Sequence, residues 1–358
     1  KAILDEIVVL GDEGSVEIKH LIPPKIESPK DRETYRYFKR WLSTQVFPER
    51  KSGDPVENLH KDFTAALQTK LNDAMSHVVC YWQQQTNINN LCMAGGVALN
   101  CVANAYIAQQ KLFEKIYIAP AAADDGTSIG SALVLMRQMG DKIDPAHYID
   151  MPFYGPEIES SECSQLIKDY ALNLDIVSDD ELVDVVAGAI VEGKIVAWAQ
   201  GRMEFGPRAL GHRSILADPR KYEMRNRLNI ITKQRESFRP FAPIVKEEAL
   251  GKYFEVVDSV VYKHMLVNVN VKDKYRGNLQ AITHIDGTAR VQSVSKKDLP
   301  ILWKLLDRIE QQLSIPVLLN TSFNLKTMPI VCYDKDAIKA FIDSDIDILV
   351  INNSIIRK

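Results

Sequence analysis

Ten cations crowd the stretch Gly201–Pro243, GRMEFGPRALGHRSILADPRKYEMRNRLNIITKQRESFRPFAP: eight arginines and two lysines, against the four acids Glu204, Asp218, Glu223 and Glu236. The chain as a whole carries a net charge of -3, so this local excess calls for something negative. Arg208 follows a Gly-Pro pair and Arg239 precedes a Pro, beside the apolar Phe205, Leu210, Phe238 and Phe241, on turns that fix the side-chain direction. A guanidinium matches two phosphate oxygens at once through its planar fork. Two other uses remain open: a salt-bridged surface with buried arginines tying loops together, and a nucleic-acid footprint. The mildly acidic composition and the lack of an RNP, KH or helix-turn-helix pattern count against the last.

Further polar residues stand where strands end. In NNLCMAGGVALNCVAN an apolar run ends at Met93 and Ala94-Gly95-Gly96 follows, with helical spacing beyond. Paired glycines let backbone N–H groups approach an anion, or let a helix pack tightly on a strand. Asn100 and Asn104, four apart, share one helix face. Asp124-Asp125-Gly126 can ligate a hard cation or cap a helix. Arg290 follows the turn Asp286-Gly287-Thr288-Ala289, and Asn320, Thr321 and Ser322 end the run IPVLLN. Such groups suit phosphate or a planar amide, or make a hydrogen-bonded turn.

The elements that must carry these residues form an α/β pattern with a boundary near 150–156, where Met151-Pro152 and Tyr154-Gly155-Pro156 break the periodicity. Before it, the spacing predicts strands over 3–10 and 15–19, helical material near 34–42, a long helix over 55–85 that starts near a capping or solvated His60, and then strand-turn-helix twice over 89–130. Beyond it come helices over 160–172 and 180–192, the second opened by a Ser178/Glu181 capping pair, and strands at 174–177 and 194–199. A strand and short helix over 244–254, a helix over 299–313, the strand ending at Asn320, a helix over 334–344 and a strand over 347–352 complete the chain. The cationic stretch thus begins at a strand end, a usual place for a ligand in an α/β sheet.

At 358 residues there is material for two cores. No apolar run has the length of a membrane span and no secretory signal pattern opens the chain, so a cytoplasmic protein is expected. The first residue is Lys and not Met, which leaves room for an origin within a longer polypeptide. Five scattered cysteines fit reduced core thiols better than a disulfide framework or a zinc site.

Five segments together carry a likeness: AGGVALNCVAN (94–104), GRMEFGPRALGHRSILADPR (201–220), KQRESFRPFAP (233–243), HIDGTARVQ (284–292) and LLNTSFN (318–324). In this order they resemble the O-carbamoyltransferases that include nodulation proteins and cephamycin-modifying enzymes. The resemblance implies a partial ASKHA-type (actin/hexokinase-like) domain over 1–152, the C-terminal half of such a domain, and a YrdC-like α/β domain with a mixed twisted sheet over 153–358. It implies ATP, Mg2+ and carbamoyl phosphate as co-substrate, formation of carbamoyl adenylate, and transfer of the carbamoyl group to a hydroxyl of a small or sugar-like acceptor, with neither nucleic acid nor membrane as partner. A homo-oligomer stays open. Matched by residue, it puts catalysis on Arg208, Arg239, Arg290 and Asn320. Substrate or nucleotide contacts fall on Gly95, Gly96, Asn100, Asn104, Arg213, Lys233, Thr321 and Ser322, and Asp124 becomes a ligand of a divalent metal, iron in some relatives. No H-x-x-x-H pair accompanies Asp124 among the seven histidines, so this chain by itself is expected to hold no metal and not to complete the transfer. The alternatives are a threonylcarbamoyl-adenylate or tRNA-modifying enzyme, a nucleic-acid-binding module using 201–239, and a catalytically silent interaction domain.

Overall fold

The computed structural model describes residues 2–19, 41–51, 53–142, 150–158, 164–233 and 239–358. The helical start expected at Thr34, the first residues of the helix expected from Ser160, and His20, His147 and Cys163 lie outside that set. The chain divides into two compact units, one of Lys1–Leu91 with Tyr106–Glu114, the other of Cys92–Ala105 with Lys115–Lys358.

In the first unit the expected opening strand is half helix. Ala2–Ile7 is helical and only Val8–Leu10 (β1) pairs, antiparallel, with Val16–Ile18 (β2). Leu4 and Ile7, both buried, are three apart, so one helix turn puts them on the same side where a strand would have pointed them to opposite sides. Gly14, at φ +69°, has Tyr81 carbons 2.8 Å from where a Cβ would stand. The long helix is Asn58–Thr86. Glu57 N–H donates to His60 Nδ1 at 3.0 Å, so His60 is a capping residue, and Asn87 ends the helix in the left-handed region at φ 53°.

The second unit carries an eight-stranded mixed sheet. Numbered on through the chain, the strands are Asn90–Met93 (β3), Lys115–Ile118 (β4), Asn173–Ile176 (β5), Val196–Ala199 (β6), Arg213–Ala217 (β7), Ala242–Lys246 (β8), Asn268–Asn270 (β9), Thr288–Arg290 (β10), Gln292–Val294 (β11), Val317–Ser322 (β12), Ile348–Ile351 (β13) and Ser354–Arg357 (β14). The sheet runs β11-β8-β12-β7-β6-β13-β14-β5. β11 with β8 and β13 with β6 are parallel, and the other neighbours antiparallel. Helices Asp179–Val191 and Pro300–Leu313 cover one face. Leu182, Val186 and Ile190 of the first and Leu302, Leu305, Leu306 and Ile309 of the second meet Trp198, Leu216, Ile244, Leu318 and Val350 of the strands in one buried cluster, the helical three-four repeat against the strand alternation of two. Ser178 accepts the Glu181 N–H as the expected cap.

Several strands escape sequence reading, β7 and β14 among them. β7, RSILA, is fully buried and central, hidden in a segment whose charges draw attention to its turns. β14 follows β13 through Asn352-Asn353, with Asn352 at φ 49°, a two-residue hairpin turn without the glycine that usually signals one. Pro243 sits second in β8, near the strand start where a missing N–H is tolerated. Within VYKHMLVNVNV (261–271), whose polar and apolar residues partly alternate, Asn268–Asn270 is strand, paired antiparallel with β10.

Candidate functional site

The loop between β6 and β7 presents Arg208, and one carboxylate shapes that loop. Glu204, 5 % exposed, accepts three backbone N–H groups on Oε1: from Leu210 at 2.7 Å, His212 at 2.7 Å and Arg213 at 3.1 Å. Gly206 at φ +129° and Gly211 at φ +104° turn the chain where other residues would be strained, and a Cβ on Gly206 would stand 3.1 Å from the Pro120 carbonyl oxygen. The far side of the loop is tied to the sheet. Asn320 Nδ2 donates to the Ala209 carbonyl at 3.3 Å and to Gln292 Oε1 at 3.1 Å, and Gln292 Nε2 donates to the Leu210 carbonyl at 2.7 Å. Residues from β12 and β11 therefore fix the backbone that follows Arg208.

Arg208 is largely buried, with one long hydrogen bond, Nη2 to the Leu99 carbonyl at 3.4 Å. Burial lowers its pKa to about 10, and the neighbouring positive charge of Arg290 adds to the effect. Arg290, at the end of β10, stands across from Asn268 of β9. Arg208 Nε, Arg290 Nε, Asn268 Oδ1 and Asn320 Oδ1 are all buried without a hydrogen-bond partner among the described residues. Two half-buried guanidinium groups near enough to repel, each with a buried Nε donor unsatisfied, are costly, and an oxyanion would satisfy both.

His284 belongs to the same group. Burial lowers its pKa to about 4, opposed by Asp286 and reinforced by Arg290 and Arg225, so the imidazole is neutral at neutral pH. Thr288 Oγ1 donates its single hydrogen to Asp286 Oδ1 at 2.7 Å, so the 3.1 Å contact between Oγ1 and His284 Nδ1 must be an Nδ1–H donating to oxygen. Nε2 then carries the lone pair. Arg225, 8 % exposed, lies over the Tyr222 ring at 4.0 Å with its Nε unpartnered.

Other expected contacts are placed differently. Arg213 is fully buried and gives its donors to main-chain carbonyls, Nη1 to Gln200 (2.7 Å), Gly201 and His212, Nη2 to Pro156 and Cys332, and Nε to Cys332. Its role here is to hold loops together, because no donor is left over for a substrate. Arg202, Arg220 and Arg227 are likewise engaged, with the Phe153 and Tyr154 carbonyls, Asp218, and Asp347 with the Gly193 carbonyl. Arg239 is exposed, three residues before β8, and its carbonyl accepts from Asn229 Nδ2. Lys233 ends the π-helical turn Asn229–Lys233. Thr321 and Ser322 close β12, with Ser322 Oγ bonded to Asn324 Oδ1 at 2.6 Å.

At the Gly-Gly turn, Gly95 N–H donates to the Ala122 carbonyl at 2.6 Å and so is not aimed at an anion. Neither Gly95 nor Gly96 has atoms within 4 Å of an added Cβ, which removes the tight-packing explanation as well. A 3-10 turn, Gly96–Leu99, precedes the helix Cys101–Gln109. Asn100 Oδ1 caps that helix at the Val102 and Ala103 N–H groups. Asn104 is fully buried, with Nδ2 on the Ala98 and Leu266 carbonyls at 2.8 Å each and Oδ1 unpartnered. The two amides therefore serve different tasks. Asp124 is exposed and opens the turn Asp124–Gly126. No group of three or more His, Cys, Asp or Glu able to hold a metal occurs among the described residues. Asp124 alone does not fit a resident divalent metal. A surface cavity of about 300 Å3 lined by Glu192, Asp218, Arg220, Lys221, Glu223 and Arg227 contains none of the unpartnered atoms.

Glu204, Asn268, His284 and Gln292 were not singled out from sequence. The i to i+6 and i+9 bonds of Glu204 leave no periodic trace, and Asn268 hides in the alternation VNVNV. Gln292 is two residues past Arg290 in HIDGTARVQ, so an odd polar residue in an apolar strand was the available signal. No helix among the described residues is long and apolar enough to cross a membrane.

Comparison with known proteins gives a consistent family. Residues 34–133 match the family model described as Carbamoyltransferase N-terminus, and residues 187–358 the one described as Carbamoyltransferase C-terminus. The nodulation protein NolO of Bradyrhizobium diazoefficiens is 39% identical over 311 residues, covering 86% of this chain and 57% of the relative. The 3'-hydroxymethylcephem-O-carbamoyltransferase of Amycolatopsis lactamdurans is 37% identical over 272 residues, covering 75% and 49%. A solved structure of full-length HypF aligns with TM-score 0.35 at 21% identity, over 51% of this chain and 22% of that one. The chain spans about half the length of the relatives it matches.

Proposed function

The chain belongs to the carbamoyltransferase family, and on that premise we propose that its residues 153–358 form a YrdC-like site where carbamoyl phosphate and ATP yield carbamoyl adenylate. Water cleaves carbamoyl phosphate to carbamate and orthophosphate, and the carbamate oxygen attacks the α-phosphorus of ATP, expelling pyrophosphate, to give the adenylate, which releases AMP on transfer. The carbamoyl group would then pass to a hydroxyl of a small or sugar-like acceptor, a step that also involves an ASKHA-type domain to which residues 1–152 contribute. The observation that carries this reading is the half-buried pair Arg208 and Arg290, each with a buried Nε that lacks a hydrogen-bond partner among the described residues, and an Arg208 pKa lowered to about 10 by burial first and by the charge of Arg290 second.

Both reactants are anions, so bringing them together requires cationic compensation. Arg208 and Arg290 would supply it, countering charge on the reacting phosphorus and on the departing pyrophosphate. Mg2+ would arrive as the counter-ion of ATP. Asn320, held by Ala209 and Gln292, would offer Oδ1 to the carbamoyl amide, and the exposed Arg239 would add a further guanidinium for the phosphates. No protein nucleophile is needed, since positioning and electrostatics suffice for phosphoryl chemistry. Neutral His284 beside the pair leaves the cationic charge to the arginines.

The test is carbamoyl-phosphate-dependent exchange of labelled pyrophosphate into ATP. Exchange that falls at least about a hundredfold in Arg208→Ala and Arg239→Ala is expected. Exchange that proceeds without carbamoyl phosphate but needs threonine and bicarbonate would point to a threonylcarbamoyl-adenylate enzyme instead.

A further inference from the structure

The hairpin β9–β10 sets Asn268 directly opposite Arg290, and opposed residues of an antiparallel pair project from the same face about 5 Å apart. Asn268 is only 7 % exposed, yet its Oδ1 lacks a donor, and Arg290 Nε lacks an acceptor. An unsatisfied acceptor and an unsatisfied donor thus stand side by side without bonding to each other. A buried amide oxygen left in this state is expensive. A guest that satisfies both must donate an N–H and, a few ångströms away, accept with an oxyanion. A carboxamide joined to a phosphoryl group has this pattern, and an acyl phosphate with a methyl in place of the amide does not.

Resting on the carbamoyl phosphate reading above, we propose that Asn268 is a specificity-determining residue: its Oδ1 accepts a hydrogen bond from the carbamoyl –NH2 while Arg290 holds a phosphoryl oxygen. A site built around a polar group discriminates strongly against analogues that leave the group unpaired. Asn268 thereby rejects acetyl-type phosphates of nearly equal size, and Asn320, anchored by the Arg208 loop, need not do so alone.

The test is titration calorimetry on the chain with two hydrolysis-resistant probes of matched shape, phosphonoacetamide and 2-oxopropylphosphonate, and with inorganic phosphate. The unsubstituted protein should bind the amide probe about tenfold or more tightly than the methyl ketone. Asn268→Leu should reduce that preference to within about twofold while keeping its affinity for inorganic phosphate, which also reports that the variant is folded. Equal binding of the two probes by the unsubstituted protein overturns the proposal, whether or not the variant folds, and so does a preference that survives in Asn268→Leu. If the unsubstituted protein binds none of the three, including phosphate, the underlying reading of the site fails, and this role for Asn268 fails with it.

Discussion

At the scale of single residues the site is defined by polar atoms without partners and by the one acid that arranges them. Glu204 satisfies three backbone N–H groups through one oxygen. Glu204→Ala should cost at least about 3 kcal/mol in urea unfolding, because three buried donors lose their acceptor, and Glu204→Gln, which keeps an oxygen, about 1–2 kcal/mol. His284 has a pKa of about 4 in the fold against 6.5 in an unfolded chain. Between those values the unfolded state binds a proton that the folded state refuses, so this contribution is complete above pH 6.5 and is lost as pH falls toward 4. It amounts to at most about 3 kcal/mol. Melting followed from pH 7 to 4 should fall less steeply in His284→Gln than in the parent. Some slope should remain, since burial also depresses His212 and His264. The residues legible from sequence were those framed by Gly or Pro, such as Arg208, or placed at strand ends, such as Arg290 and Asn320. Arg213 looks the same in sequence, and only the burial of its whole fork among carbonyls separates it from Arg208.

At the scale of elements, turns decide what the arginines can reach. Gly206 is left-handed and close to the Pro120 carbonyl, so Gly206→Ala combines backbone strain with a steric contact. It should destabilise by about 1–3 kcal/mol and weaken phosphate binding in calorimetry, whereas Gly188→Ala, in a helix with open space around the added Cβ, should be neutral or slightly stabilising. Long helices such as Pro300–Leu313 were legible nearly to the residue, because their three-four repeat of apolar residues is sustained over several turns, whereas the short Tyr222–Leu228 was not. The opening helix Ala2–Ile7 was not, since six residues give a single repeat. Strand pairing was the least legible. The buried β7 shows no alternation, one of its two neighbours in the sheet is β12, about a hundred residues later, and no local pattern reports such a partner.

At the scale of the molecule, a chain of net charge -3 brings two like charges, the half-buried Arg208 and Arg290, near enough to repel. The helix Thr127–Gln138 has no buried residue, and Val134 and Leu135 are more than half exposed. The central claim is that Arg208 and Arg290 are kept together for an anion, at a cost to stability. Calorimetric melting of the parent, Arg208→Met and Arg290→Met, each with and without inorganic phosphate, tests it most directly. The account predicts a parent melting temperature that climbs with phosphate, and variants that melt at or above the ligand-free parent and do not respond to phosphate. Variants that melt well below the ligand-free parent and still respond to phosphate as the parent does would contradict it.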